Sequence, residues 1–202
     1  MMVIADIPAL TLFAWAIIGY AMGAVPFGII LSRVMGLGDL RTLGSGNIGA
    51  TNVLRTGNKT AAALTLLLDA GKGMAAVVLA RVWAGEEAAQ IAAMAALIGH
   101  CFPVPLKFKG GKGTATFLGV ALGLYWPVGL ACCATWLATA KLMRISSLSA
   151  LVAAASSVFW LAVFGHPQLI GLYAVLALLV FERHRANIGR LRAGTEPKIG
   201  QK

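Results

Sequence analysis

The run IPALTLFAWAIIGYAMGAVPFGIILS, residues 7–32, contains no Asp, Glu, Lys or Arg. A helix needs ~20 apolar residues to cross a hydrocarbon layer ~30 Å thick. The reading is therefore a single membrane-crossing helix over Leu10–Ser32. A cleaved signal would start with a basic stretch, and Met1–Ala9 holds no Lys or Arg, so the segment is expected to be kept. Further apolar segments follow at Thr60–Trp83, Ala88–Leu106, Thr114–Ala140, Ser146–Phe164 and Gln168–Phe181. The chain is 59% hydrophobic and 12% charged, against roughly 25% charged residues in soluble domains. The fold class is an all-α integral membrane protein.

The formal net charge of +10 sits in short loops and in the tail beside apolar spans, where it reports topology rather than nucleic-acid binding. Arg33, Arg41, Arg55 and Lys59 lie in the first loop, and the loop from Lys107 to Lys112 is basic again. Between them, Glu86 and Glu87 stand in a loop with no basic residue. The amino terminus is expected outside and both basic loops inside. A single crossing from Thr114 to Ala140 would then leave the basic carboxyl tail outside. Pro127, after Trp126, resolves this, because proline removes a donor and clashes with the preceding turn. Two short helices joined there return the chain to the cytoplasm. The 27 residues of that segment make only ~40 Å of helix at ~1.5 Å each, so the hairpin should be shallow or strongly tilted. About seven membrane segments result, some short or re-entrant, with the carboxyl terminus cytoplasmic and residues 1–202 forming one domain. Cys101, Cys132 and Cys133 lack zinc or C-x-x-C spacing and read as small buried residues.

Three polar clusters interrupt the apolar pattern. Gly44-Ser45-Gly46-Asn47-Ile48-Gly49-Ala50-Thr51-Asn52 can turn backbone N–H groups toward an anion, with Arg55 to add charge. Its match to G-x-G-x-x-G is accidental, because no strand precedes it and Asp69, twenty residues after Gly49, sits in an apolar run. The plainer reading is a glycine turn with Asn47 and Thr51 capping a helix. In Phe108-Lys109-Gly110-Gly111-Lys112-Gly113-Thr114, the glycines can present amides while Lys109 and Lys112 supply charge, at the start of the helix that opens at Thr114. It is not an NTPase loop, since neither Ser nor Thr follows Lys112 directly. A merely topological basic loop would not need three interleaved glycines. In the tail, His184, Asn187 and Leu191 share one helical face; alone, they would read as an amphipathic segment on anionic lipid. Asp69 and Lys72, three apart on one helix, are either a self-paired salt bridge in the pocket wall or substrate ligands. His100 reads as a structural residue at a helix end.

Taken together, these clusters resemble the bacterial acyl-phosphate:glycerol-3-phosphate acyltransferase family, the PlsY type. The resemblance rests on Gly44–Asn52 with Arg55; on Gly99-His100-x-Phe102-Pro103 running into Phe108–Gly113; and on His184-x-x-Asn187-Ile188-x-Arg190-Leu191-x-x-Gly194-x-Glu196. Leu68-Asp69-x-x-Lys72-Gly73 falls between the first two. It implies transfer of a fatty acyl chain from acyl phosphate to the 1-hydroxyl of glycerol 3-phosphate, giving lysophosphatidic acid and phosphate, at the cytoplasmic side of the bacterial inner membrane. Ser45, Asn47, Lys112, His184 and Asn187 would be catalytic. Gly44, Gly46, Thr51, Asn52, Arg55, Asp69, Lys72, Lys109, Gly110, Gly111, Gly113 and Glu196 would bind substrate. No metal, cofactor, nucleic acid or obligate protein partner is implied; membrane lipid is. A mixed anhydride needs charge neutralisation and alignment rather than an activated nucleophile, and the chain has no G-x-S-x-G and no H-x4-D. The rival class is a transporter for anionic phosphate compounds, against which the one-sided clusters and the lack of a paired half speak.

Overall fold

The computed structural model describes residues 7–200; residues 1–6 and 201–202, the two ends of the expected domain, lie outside that range. Among the described residues every regular element is helical. In order these are α1 (Ala9–Ala24), α2 (Phe27–Val34), α3 (Ala50–Val53), α4 (Lys59–Cys101), α5 (Thr114–Leu124), α6 (Trp126–Met143), α7 (Ser146–Val163), α8 (Ile170–Arg183) and α9 (Arg185–Arg192). Ala9–Val34, Lys59–Leu106 and Ser146–Val163 are long and apolar enough to cross a membrane.

Two boundaries differ from the sequence reading, each for a local reason. The first segment is not one helix: it breaks at Val25 and Pro26, because Pro26 lacks an N–H and disfavours helical geometry in the residue before it. The second and third segments are not parted by a loop. They are the two arms of α4, separated at Gly85 alone, whose φ of 80° and ψ of −171° turn the chain. Arg81 spans this break, its Nε 2.7 Å from Glu86 Oε2 and its Nη2 2.9 Å from the Leu124 carbonyl at the end of α5. The fourth segment does divide where Pro127 suggested, into α5 and α6 with Tyr125 extended between them. The halves are unequal: at ~1.5 Å per residue, the 11 residues of α5 are about 17 Å long and the 18 of α6 about 27 Å.

The core is built on small residues. α1 meets the second arm of α4 at Gly23, where a Cβ would overlap the Ala96 backbone. α5 meets the first arm at Gly119, where a Cβ would strike Ala70 O. Water-driven burial does not join helices within lipid, so backbone-to-backbone approach through small side chains supplies the contact. α4 therefore sits centrally between α1 and α5, and large residues such as Trp83, Val82 and Leu67 point outward. This arrangement brings both ends of α4, the start of α5 and the end of α8 to the polar loops.

Candidate active site

The first glycine loop is held by Asn52, which is 1% exposed. Its Nδ2 donates to Leu40 O at 2.8 Å and Leu43 O at 3.0 Å, and its Oδ1 accepts from Ser45 N and Arg55 Nη1, both at 3.3 Å. Asn52 thus uses both ends of its amide inside the protein and shapes the loop. Gly44, at φ 54°, admits this only because it lacks a Cβ, which would collide with Arg55 and Asn52. Gly46 N donates to Leu43 O. Ser45 is exposed and Asn47 half-buried. The plainer capping alternative falls away: Gly49 is the N-cap of α3, and among the described residues no side chain caps it. Thr51 instead lies 3.0 Å from Ser146 Oγ, tying the loop to α7.

In the second loop the amides divide into two sets. Gly110 N and Gly111 N donate to Cys101 O and His100 O at 3.2 and 3.0 Å, so these two amides are consumed within the protein, contrary to the expectation that they face an anion. Among the described residues, the amides of Lys112, Gly113, Thr114 and Ala115 have no backbone acceptor, as befits the N-terminus of α5. Gly113, at φ 85°, is its cap. Lys109 is exposed, whereas Lys112 is half-buried. Burial pushes the Lys112 ammonium down to about 8; Glu196 opposes the shift and Arg190, Arg55 and Arg183 add to it. One lysine from the second loop, one arginine from the first and the tail therefore lie within electrostatic reach of one another.

The tail completes the cup. His184, 2% exposed, has Nδ1 2.7 Å from Val180 O, which fixes the proton on Nδ1 and leaves Nε2 an acceptor. Burial lowers its pKa to about 4, the Val180 bond and Glu196 opposing and Lys112 and Arg183 assisting. Burial alone would raise the Glu196 carboxyl, but hydrogen bonds from Ser147, Asn187 and Arg190 hold it below the ordinary range. Ser147 Oγ and Arg190 Nε each stand 2.6 Å from that carboxylate. Asn187 donates to it through Nδ2, which settles the amide's orientation and leaves Oδ1, buried, with no donor among the described residues. Glu196 thus orients Asn187 rather than meeting an anion.

Asp69 and Lys72 form a buried pair at 2.7 Å, and Lys72 Nζ also donates to Val25 O at 2.7 Å, in the break between α1 and α2. The self-paired alternative accounts for both charges. His100 Nδ1 stands 3.8 Å from Asp69 Oδ1, and a Cβ on Gly111 would strike His100 Nε2, so the pair connects to the second loop through His100. Two residues escaped the sequence reading as members of the site. Ser147 is one, an ordinary helix-start serine with no local signal. The other is Arg183, whose basic charge and place beside His184 were the available clue.

The family described as Glycerol-3-phosphate acyltransferase matches residues 13–194. This chain belongs to that family. A glycerol-3-phosphate acyltransferase of Ruegeria pomeroyi is 66% identical over 98% of this chain and 97% of its own length. One of Cereibacter sphaeroides is 60% identical over 96% and 92%. Among solved structures, the glycerol 3-phosphate form of PlsY, an integral membrane glycerol 3-phosphate acyltransferase, superposes with a TM-score of 0.88 at 35% identity, covering 94% of this chain and 96% of that one. Its lysophosphatidic acid form gives 0.87 at 34% identity, with 94% and 95% covered. The glycerol-3-phosphate acyltransferase reading made from the three motifs therefore holds over nearly the full chain.

Proposed function

We propose that this acyltransferase takes its acyl group from acyl phosphate and delivers it to the 1-hydroxyl of glycerol 3-phosphate, in one step, at the cytoplasmic face of the bacterial inner membrane. The observation that carries the site is Asn187 Oδ1, a buried acceptor without a donor, beside a neutral His184 and a lysine. An unmet buried acceptor costs about 1–3 kcal/mol, which a substrate hydroxyl would relieve. The hydroxyl oxygen attacks the acyl carbon, the carbon–oxygen bond to phosphate breaks, and the proton leaves with the phosphate. A histidine with pKa about 4 is a weak base at neutral pH, so His184 orients the hydroxyl and the departing phosphate accepts its proton. Lys112, Arg55 and the free amides at the start of α5 neutralise phosphate, with Lys109 at the rim. Ser45 and Asn47 line the mouth; Gly44, Gly46, Gly110, Gly111 and Gly113 shape the loops; Thr51, Asn52 and Glu196 position them. Asp69 and Lys72 brace the wall.

The same reading takes residues 1–202 as one domain with about seven membrane segments, some short or re-entrant, amino terminus outside and carboxyl terminus cytoplasmic. The helix break at Tyr125 supports the return of the chain between α5 and α6, and the clustering of the basic loops with the tail supports a one-sided site. Purified enzyme in detergent tests the chemistry. Acyl phosphate should be consumed only when glycerol 3-phosphate is present; absence of turnover together with saturable phosphate-ester flux in vesicles would replace the enzyme with a transporter. No acyl-enzyme should be trapped on Ser45, whose side chain is exposed and whose hydroxyl meets no base among the described residues. Mass spectrometry after rapid quenching checks this.

The pH profile follows from Lys112. Its cationic form dominates below about 8 and is lost above it, so kcat/KM should fall as pH rises through that value, by about tenfold per unit. Lys112→Arg keeps its charge far higher and should remove the step. A step of the same position in Lys112→Arg would reassign the titration to another group.

A further inference from the structure

Arg183 ends α8 one residue before His184, yet its guanidinium turns to the second loop. Nε lies 3.1 Å from Gly111 O and Nη2 3.2 Å from Gly110 O. The guanidinium lies over the Phe102 ring, with Cζ 5.0 Å from the centroid. Phe102 is itself fixed, since Tyr20 of α1 donates from its hydroxyl to Phe102 O at 2.7 Å and accepts from Val104 N at 3.1 Å. We propose that Arg183 is a positioning residue: by holding two successive carbonyls, it aims the Lys112 amide and the start of α5 at the substrate phosphate.

The geometry follows from the planar trans peptide, in which C=O and N–H point to opposite sides. In the Gly110–Gly111 unit the carbonyl meets Arg183 and the N–H meets His100 O. In the Gly111–Lys112 unit the carbonyl again meets Arg183, so the Lys112 N–H leaves in the opposite direction, where the described residues offer it no backbone acceptor. The loop cannot relax away from Arg183, because a Cβ on Gly110 or Gly111 would already strike His100. It is gripped between an imidazole and a guanidinium. Two parallel donors at fixed spacing are what a guanidinium has and an ammonium lacks. Without the grip, the two carbonyls can rotate toward the cup, replacing positive amide dipoles with negative oxygens where phosphate must sit.

The test uses the purified full-length protein carrying Arg183→Lys or Arg183→Gln. Rates are measured with acyl phosphate and glycerol 3-phosphate, and amide hydrogen exchange is measured without substrate. Displacement of a catalytic group by about 1 Å can cost about 10²-fold. Both variants should therefore lose about that factor in kcat/KM while melting within a few degrees of wild type, and exchange at Gly110 and Gly111 should rise about tenfold with the transmembrane helices unchanged. Arg183→Lys with wild-type kcat/KM would overturn the proposal, since charge alone would then suffice. So would unchanged exchange at Gly110 and Gly111, or a loss of activity that follows a general fall in melting temperature. The kinetic arm rests on the acyl-transfer reading. If the wild type shows no turnover, that reading fails, while the exchange result still decides the role of Arg183.

Discussion

Lys112→Ala is expected to lower kcat/KM by about 10²–10³-fold, the loss typical of removing one donor from a preorganised oxyanion site. The physical reason lies in how the neighbouring cations are engaged. Arg190 is 2.6 Å from Glu196 and Arg183 holds Gly110 and Gly111, while Arg55, bonded at 3.3 Å to the neutral amide of Asn52, keeps its charge and assists from the first loop. Lys112 has no such partner in hydrogen-bond or ion-pair range among the described residues, so its charge is available to an incoming phosphate. It is also half-buried, and removal from water strengthens whatever charge it does meet. Lys109 is the internal comparison. It is exposed, and an exposed cation contributes roughly 0–1 kcal/mol, so Lys109→Ala should change rates less than about fivefold. Equal losses in the two variants would mean that the loop supplies charge without geometry, and the assignment of Lys112 to the reacting phosphate would fall. Purified proteins assayed side by side with acyl phosphate give the answer.

What was legible in the chain depended on whether the physics is local. The charge-free runs and the basic loops foretold helices, because crossing a membrane constrains every residue of a segment. Pro127 announced the break before α6 for the same local reason. Pro26 carries the same signal but lies inside a run long enough to cross unaided, so the apolar pattern outweighed it. Gly85 was hidden differently: two acidic residues beside it suggested a loop, whereas one glycine at positive φ suffices to turn the chain. The polar clusters were legible as anion-binding chemistry, since glycine and lysine interleave for few other reasons. Which amides face the anion was not, because Gly110 and Gly111 give theirs to carbonyls at the end of α4, a contact decided by how that helix ends. Glu196 likewise looked like a ligand and acts on Asn187, a distinction that distances alone supply.

Asp69→Ala should cost about 3–5 kcal/mol of stability, the penalty for leaving one member of a buried ion pair uncompensated. Asp69 and Lys72 are 3% and 7% exposed, and the ammonium would keep only Val25 O, 2.7 Å away, and the Phe27 ring, 5.7 Å from Nζ. That carbonyl lies at the break beside Pro26 and also accepts from Phe27 N at 3.2 Å, so Lys72 is its second donor and ties the break to α4. Replacing the whole pair, as in Asp69→Ala with Lys72→Met, removes the stranded charge and should recover much of the loss, since apolar substitutes for buried pairs are often near neutral. Val25 O would keep its bond from Phe27 N, so the double variant strands no acceptor there. Unfolding by heat or by denaturing detergent, read for both single variants and the double, isolates the coupling. A brace predicts strong coupling in stability, with activity following the folded fraction. If the pair binds substrate instead, Asp69→Asn should melt like wild type and yet be inactive, and the role given to these two charges would have to be exchanged for a catalytic one.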